Sequence, residues 1–65
     1  MIYLDKEKIV IKQYSQLLVL DSSLILIKAQ DQLVKIIGQN FIVLYFSTHE
    51  IHISGKVKEV KFDEN

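Results

Sequence analysis

The stretch that decides the fold is LVKIIGQNFIVLYF, residues 33–46. It contains two apolar runs, 33–37 and 41–46, which are separated by the polar residues and glycine of Gly38-Gln39-Asn40. Short apolar runs bounded by such residues are typical of β-strands joined by a turn. We therefore predict two strands here, with Gly38 supplying a positive φ in the turn between them.

The rest of the chain repeats this pattern, with polar residues at intervals of about nine positions, a spacing that suits short strands and tight turns. Further strands are predicted over 7–13, 16–20, 24–29, 50–54 and 56–62, with Gly55 as a turn or bulge between the last two. Because no segment is long enough for a crossover helix, the strands should be mainly antiparallel. The predicted fold is one all-β domain, 1–65, in which a seven-strand meander closes as a small barrel or as two packed layers. A short β-solenoid is the alternative, because evenly spaced turns can stack.

The composition agrees with a small β domain and argues against several classes of protein. Ile, Val and Leu supply 24 of the 65 residues and alanine only one, so strand propensity dominates. The apolar fraction of 49% is too high for a disordered tail. The absence of cysteine excludes disulfides and thiolate metal clusters. Eight lysines balance eight acidic residues and arginine is absent, and this composition argues against a nucleic-acid partner.

Three predicted strands, 17–20, 24–27 and 41–46, are apolar on both faces. Such strands require cover on both sides, which one sheet of this length cannot easily supply. Each large apolar side chain left in water forgoes about 1.5–3 kcal/mol of stabilisation. We therefore predict a homo-oligomer or an obligate complex with another protein. The predicted interface residues are Leu18, Leu20, Phe41, Val43, Tyr45 and Phe46.

No motif in the sequence indicates catalysis. His49 and His52 are the candidate metal ligands, but in a strand a spacing of three places them on opposite faces, which leaves only a site shared across an oligomer axis. The serines fall in predicted turns or at strand ends, and the two glycines are too far apart for a phosphate loop. We predict no enzyme, no catalytic or metal-binding residues, no cofactor and no small-molecule substrate.

Aromatic residues provide the alternative function. Tyr14, Phe41, Tyr45 and Phe46 could stack bases, as in a small β-barrel that binds single-stranded nucleic acid. Such platforms interleave aromatic and basic residues, and this chain lacks that interleaving. Packing in the core is therefore the favoured role of these side chains.

Two segments resemble the YabP/YqfC family of sporulation proteins. One is Leu33-Val34-Lys35-Ile36-Ile37-Gly38-Gln39-Asn40-Phe41-Ile42-Val43, an apolar strand that ends in glycine, two polar residues and a second apolar strand. The other, residues 50–62, is an alternating strand that reaches Gly55 and continues with Val57, Val60 and Phe62. The resemblance extends over about residues 8–62. This chain departs from many family members in having Gln13 where they have a glycine, and in its short N-terminal extension.

The resemblance implies a non-enzymatic all-β protein of endospore formation, associated with spore maturation and with coat or cortex assembly. It implies action through protein–protein contacts, with a sporulation membrane protein as a partner, and it brings no catalytic residues to this chain. The longest apolar run, 41–46, is far short of the roughly 20 residues of a membrane helix, and the first residues lack the features of a signal peptide. We expect a cytoplasmic protein, peripheral to a membrane in the sporulating cell.

Overall fold

The computed structural model describes residues 1–64, which form six β-strands and the turns between them. The strands are β1 (Ile2–Asp5), β2 (Lys8–Lys12), β3 (Gln16–Leu20), β4 (Leu24–Ala29), β5 (Gln32–Phe46) and β6 (Glu50–Glu64). They form one sheet in the order β1-β2-β6-β5-β4-β3, and every neighbouring pair is antiparallel. The all-β and antiparallel predictions are confirmed. The count of seven strands is wrong.

The count differs because two predicted turns are bends inside long strands. Segments 33–37 and 41–46 belong to the 15-residue β5, and segments 50–54 and 56–62 to the 15-residue β6. The short β1 is an additional strand that the prediction misses. A straight strand of this length spans roughly 50 Å. The longest dimension of the molecule is 27 Å, so β5 and β6 must bend sharply.

The bend is located where Gly55 of β6 faces the register shift between Gln39 and Ile42 of β5. Gly55 has a φ of 144° and Asn40 a φ of 60°, which are conformations of bulged rather than regular strands. Of the two alternatives predicted for Gly55, a turn or a bulge, the structure shows a bulge inside β6. The prediction of a positive φ at Gly38 is wrong, because Asn40 takes that conformation and Gly38 lies within β5.

The sheet curls on itself but does not close. The link from Lys12 to Gln16 can span at most about 14 Å, whereas four strand spacings separate β2 from β3 in the sheet, about 19 Å if it were flat. The two halves of the sheet must therefore face each other. Among the described residues, β1 pairs only with β2 and β3 only with β4, so neither the predicted closed barrel nor a solenoid of parallel strands is formed.

The core occupies the space between the facing halves. Its fully buried side chains are all isoleucines. Adjacent residues of a strand lie on opposite faces of the sheet: Ile36 faces the core and is 0% exposed, whereas Ile37 lies on the outer face and is half-buried. The fully buried residues are Ile9, Ile11, Ile25, Ile27, Ile36, Ile51 and Ile53. Tyr14, Val34 and Phe41 complete the core.

A bulge explains the irregular apolar spacing after Gly55. Val57 pairs with Gly38, Val60 with Ile36 and Phe62 with Val34, so all three face the core side of the sheet. The step from 57 to 60 contains one extra residue, at the register shift between Ile37 and Gly38 of the partner strand. Because of this extra residue, Val60 and Phe62 lie on the same face of the sheet as Val57.

Candidate functional site

The most distinctive surface is the free edge of β5, residues 41–46. β4 pairs with β5 only as far as Ile37, so on the side away from β6 the second half of β5 has no strand partner among the described residues. One backbone bond is made there, from Phe41 N–H to the carbonyl of Ser22, over 3.0 Å. Beyond it, the edge is open.

Phe41 at the start of this edge is buried, and the hydrophobic side chains that follow it are all exposed. Five consecutive residues have between 43% and 61% of their surface accessible. They are Ile42, Val43, Leu44, Tyr45 and Phe46. A continuous group of this kind is unusual on a monomeric protein, where contiguous apolar patches rarely exceed a few hundred Å².

The pairing with β6 assigns these side chains to two faces. Val43 lies opposite Ile53 and Phe46 opposite Ile51, so both extend the core face outward to the edge. Ile42 and Tyr45 lie opposite Ser54 and His52 on the outer face. The register shifts between Val43 and Tyr45, which allows Phe46 to return to the core side.

The structure separates the six predicted interface residues. Val43, Tyr45, Phe46 and Leu18 are exposed, and Leu20 is partly buried against the core. Phe41 is 7% exposed and belongs to the core, so the prediction that it forms part of an accessible interface is wrong. Its ring faces inward at the bend, where the two glycines leave room for it.

Ile42 and Leu44 were not among the predicted interface residues, although both are more than half exposed. The apolar run of 41–46 already contained them. The missing information was which residues of that run face the core, and this depends on the two register shifts in β5.

A side chain from another part of the chain forms a hydrogen bond with the residue that follows this edge. The Tyr14 hydroxyl donates a 2.8 Å hydrogen bond to the carbonyl of Ser47, directly after Phe46. The backbone N–H of Gln13 donates to the carbonyl of His49 in the same turn. Burial raises the pKa of Tyr14 above its usual value of 10.0, which keeps the donor protonated.

A second group of side chains crosses the outer face of the sheet beside this edge. The strand registers align Tyr3, Val10, His52 and Tyr45 in one row. The rings of Tyr45 and His52 are 5.1 Å apart at 57°, and Lys12 Nζ lies 5.8 Å from the Tyr3 ring centre. These contacts order the outer face next to Tyr45.

Glu50 and His52 form a hydrogen-bonded pair in this row, between Oε2 and Nε2. The hydrogen bond from His52, together with the charges of Lys12 and His52, holds the pKa of Glu50 below its usual value of 4.5. The two side chains lie in an open groove of about 300 Å³ on the outer face. Small-molecule sites usually enclose most of their ligand, which a groove this open does not do.

The structure places His49 in the turn 47–49 and His52 on the outer face of β6. In the part of the chain that the structure describes, residues 1–64, no three histidines or carboxylates come together as metal ligands would.

A cavity of about 380 Å³ lies between the start of β1, Gln13 and the turn that joins β4 to β5. Three glutamines surround it together with apolar side chains. Its lining consists of Met1, Ile2, Gln13, Ala29, Gln30, Gln32, Val34 and Phe62. This cavity is a gap at the open margin of the curled sheet, and the polar side chains that line it are uncharged amides.

The aromatic residues considered for base stacking do not form one platform. Tyr14 and Phe41 are buried in the core, while Tyr45 and Phe46 are exposed on opposite faces of β5. Base stacking on successive nucleotides requires several aromatic rings on one accessible surface.

Comparisons of the chain with protein-family models, curated proteins and solved structures gave no match. Residues 1–64 contain strands and turns, and a helix long and apolar enough to cross a membrane is not among them. The surface itself therefore provides the evidence about function.

Proposed function

We propose that this chain is a structural or adaptor protein that acts through protein–protein contact. The observation that carries the proposal is the run of five exposed apolar residues, 42–46, on an unpaired strand edge. Such an edge offers both main-chain hydrogen-bonding groups and apolar side chains to a partner. Covering one large apolar side chain contributes about 1.5–3 kcal/mol, so several of them can hold a stable complex.

We further propose that this role belongs to bacterial endospore formation, in spore maturation or in the assembly of coat or cortex. The support for this step is the resemblance of residues 33–43 and 50–62 to the YabP/YqfC family. It suggests a cytoplasmic protein that meets a sporulation membrane protein at the membrane surface, a second copy of itself, or both. No enzyme activity, cofactor or small-molecule substrate forms part of the proposal.

Binding of single-stranded nucleic acid is the weaker candidate. The separation of the aromatic residues, the zero formal net charge and the absence of arginine all argue against it. A protein without net positive charge gains little from releasing counterions from a phosphate backbone.

The test is genetic and uses the bacterium that encodes this chain. Deletion of the gene should lower the yield of heat-resistant spores and leave vegetative growth unchanged. The wild-type gene and Phe62→Lys should restore the yield, whereas Phe46→Lys should not. A normal spore yield after deletion would refute the sporulation proposal. Restoration by Phe46→Lys would refute the part played by the edge.

A further inference from the structure

We infer that the free edge of β5 pairs with the same edge of a second copy of this chain. The two segments 42–46 would run antiparallel about a twofold axis, and the sheets β1-β2-β6-β5 of the two copies would become continuous. This inference rests on the proposed function, since it names the partner that the edge contacts.

Four edges are unpaired in the described part of the chain: β1, β3 and the second halves of β5 and β6. β3 exposes one large apolar side chain, Leu18, and β1 is four residues long and ends at Asp5. The second half of β6 carries five described charges, at Lys56, Lys58, Glu59, Lys61 and Asp63. Short strands and charged edges are ordinary protections against strand pairing.

The second half of β5 has none of these protections. It contains no charge, no proline and five consecutive exposed apolar residues. Two identical segments without charge meet no like-charge repulsion when they pair. The chain as a whole has zero formal net charge, so long-range repulsion between copies is also small.

The backbone is oriented for pairing. Phe41 donates its N–H away from β6, to the carbonyl of Ser22. Because backbone groups alternate along a strand, Val43, two residues later, directs its N–H and C=O toward the same open side. In an antiparallel twofold pair these groups can exchange hydrogen bonds with a second copy.

The area is sufficient for a specific dimer of modest affinity. A fully exposed large apolar residue has roughly 200 Å² of surface, so the exposed fractions of 42–46 correspond to about 500 Å² per copy. Two copies would bury at most about 1,000 Å², which is the lower end of specific protein interfaces. Val43 and Phe46 lie on the core face next to Ile53 and Ile51, and the second copy would cover part of their exposed surface.

The phenylalanines at positions 46 and 62 provide a matched pair of variants. Each is 59% exposed, and each lies on the core face of a free edge, opposite Ile51 and Val34 respectively. Light scattering behind size exclusion, over about 1–200 μM, would measure the dissociation constant of the wild type and both variants. Phe46→Lys should weaken the dimer on the order of tenfold to a hundredfold, and Phe62→Lys by less than about threefold.

A second variant and a second measurement check the result independently. Leu44→Lys changes a side chain that is 57% exposed, so it should weaken the dimer without unfolding the chain. Hydrogen exchange followed by mass spectrometry should slow with concentration in peptides covering 42–46, and not in those covering 56–63. A monomer throughout the concentration range would overturn the inference. So would a dimer that is insensitive to both edge variants, or equally sensitive to Phe62→Lys.

The outcomes also separate this inference from the proposed function. A monomeric chain whose Phe46→Lys variant still fails to restore spores would keep the adaptor role and refute self-pairing. A dimer that depends on Phe46, in a strain whose deletion makes normal spores, would keep self-pairing and refute the sporulation role.

Discussion

Phe41 packs directly over Gly55: a Cβ atom added to that glycine would lie 2.6 Å from Phe41 Cδ1 and 2.9 Å from the carbonyl oxygen of Asn40. The ring also covers Gly38, where an added Cβ would lie 2.0 Å from the carbonyl oxygen of Lys56. Both glycines are therefore required by close approach across the β5–β6 pair. The aromatic ring and the two glycines form the inside of the bend that folds the sheet.

Replacing Gly55 by alanine should destabilise the fold. The φ of 144° is strained for any side chain, at about 1–3 kcal/mol, and the contact with the Asn40 carbonyl adds to this cost. Urea unfolding would measure the change. Lys56→Ala, at an exposed neighbouring residue, is the control and should shift the free energy of unfolding by about 0.5 kcal/mol or less. Equal stability of Gly55→Ala and the wild type would contradict the close packing.

Replacing Tyr14 by phenylalanine removes the hydrogen bond to the Ser47 carbonyl and should cost about 0.5–1.5 kcal/mol. The wild type should lose stability as pH rises above 10.0, because its folded pKa is raised and the unfolded tyrosine ionises first. The variant should lose less over the same range. Tyr45→Phe, at a side chain that is 51% exposed, serves as the control and should keep the alkaline loss of the wild type.

Stability should also fall on acidification, through Glu50. The pKa of Glu50 is lower in the folded state than in the unfolded state, so the folded state binds fewer protons. The resulting stabilisation is present above about pH 4.5 and is lost as the pH falls through the folded pKa. Glu50→Gln can still accept a hydrogen bond from His52 but does not titrate, so its unfolding midpoint should fall less steeply below pH 4.5. Identical slopes for the variant and the wild type would show that Glu50 makes no contribution.

Asp21 adds a separate contribution at lower pH. Hydrogen bonds from the backbone N–H groups of Ser23 and Leu24 lower the pKa of Asp21 below its usual value of 3.8. Asp21→Asn retains an acceptor for this turn and should flatten the pH dependence below 3.8 without altering the part that depends on Glu50. The double variant should show both changes. Unfolding curves collected at intervals from about pH 6 to pH 2 would separate them.

The adjacent isoleucines of β5 test the assignment of faces. Ile36→Ala should cost about 2–5 kcal/mol, because the side chain is 0% exposed and its removal leaves a cavity. Ile37→Ala removes the same atoms from the half-buried outer face and should cost clearly less. Denaturant unfolding of the two variants makes the comparison directly. Similar losses would mean that both faces of this strand are covered, as a partner on the outer face would produce.

Most of the strand positions could be predicted from the sequence, since periodicity and polar punctuation are local properties. The segments 16–20, 24–29, 41–46 and 50–54 are all strand, and Gly55 is a bulge. The two long strands could not be predicted in the same way. A glycine between two apolar runs fits both a turn and a bend, and only the pairing of β5 with β6 on both sides of Gly38 decides between them.

Composition and local alternation are properties of the order of residues, and they were enough to predict an antiparallel all-β domain with more apolar strand surface than one small sheet can cover. Which residues supply that surplus depends on how distant strands pair. Phe41 turns inward over Gly38 and Gly55, whereas the next five residues remain exposed beyond Ile37, the last residue of β5 that pairs with β4. Burial depends on contacts between distant strands and on the register shifts that reverse a face, and neither is visible in the order of residues alone.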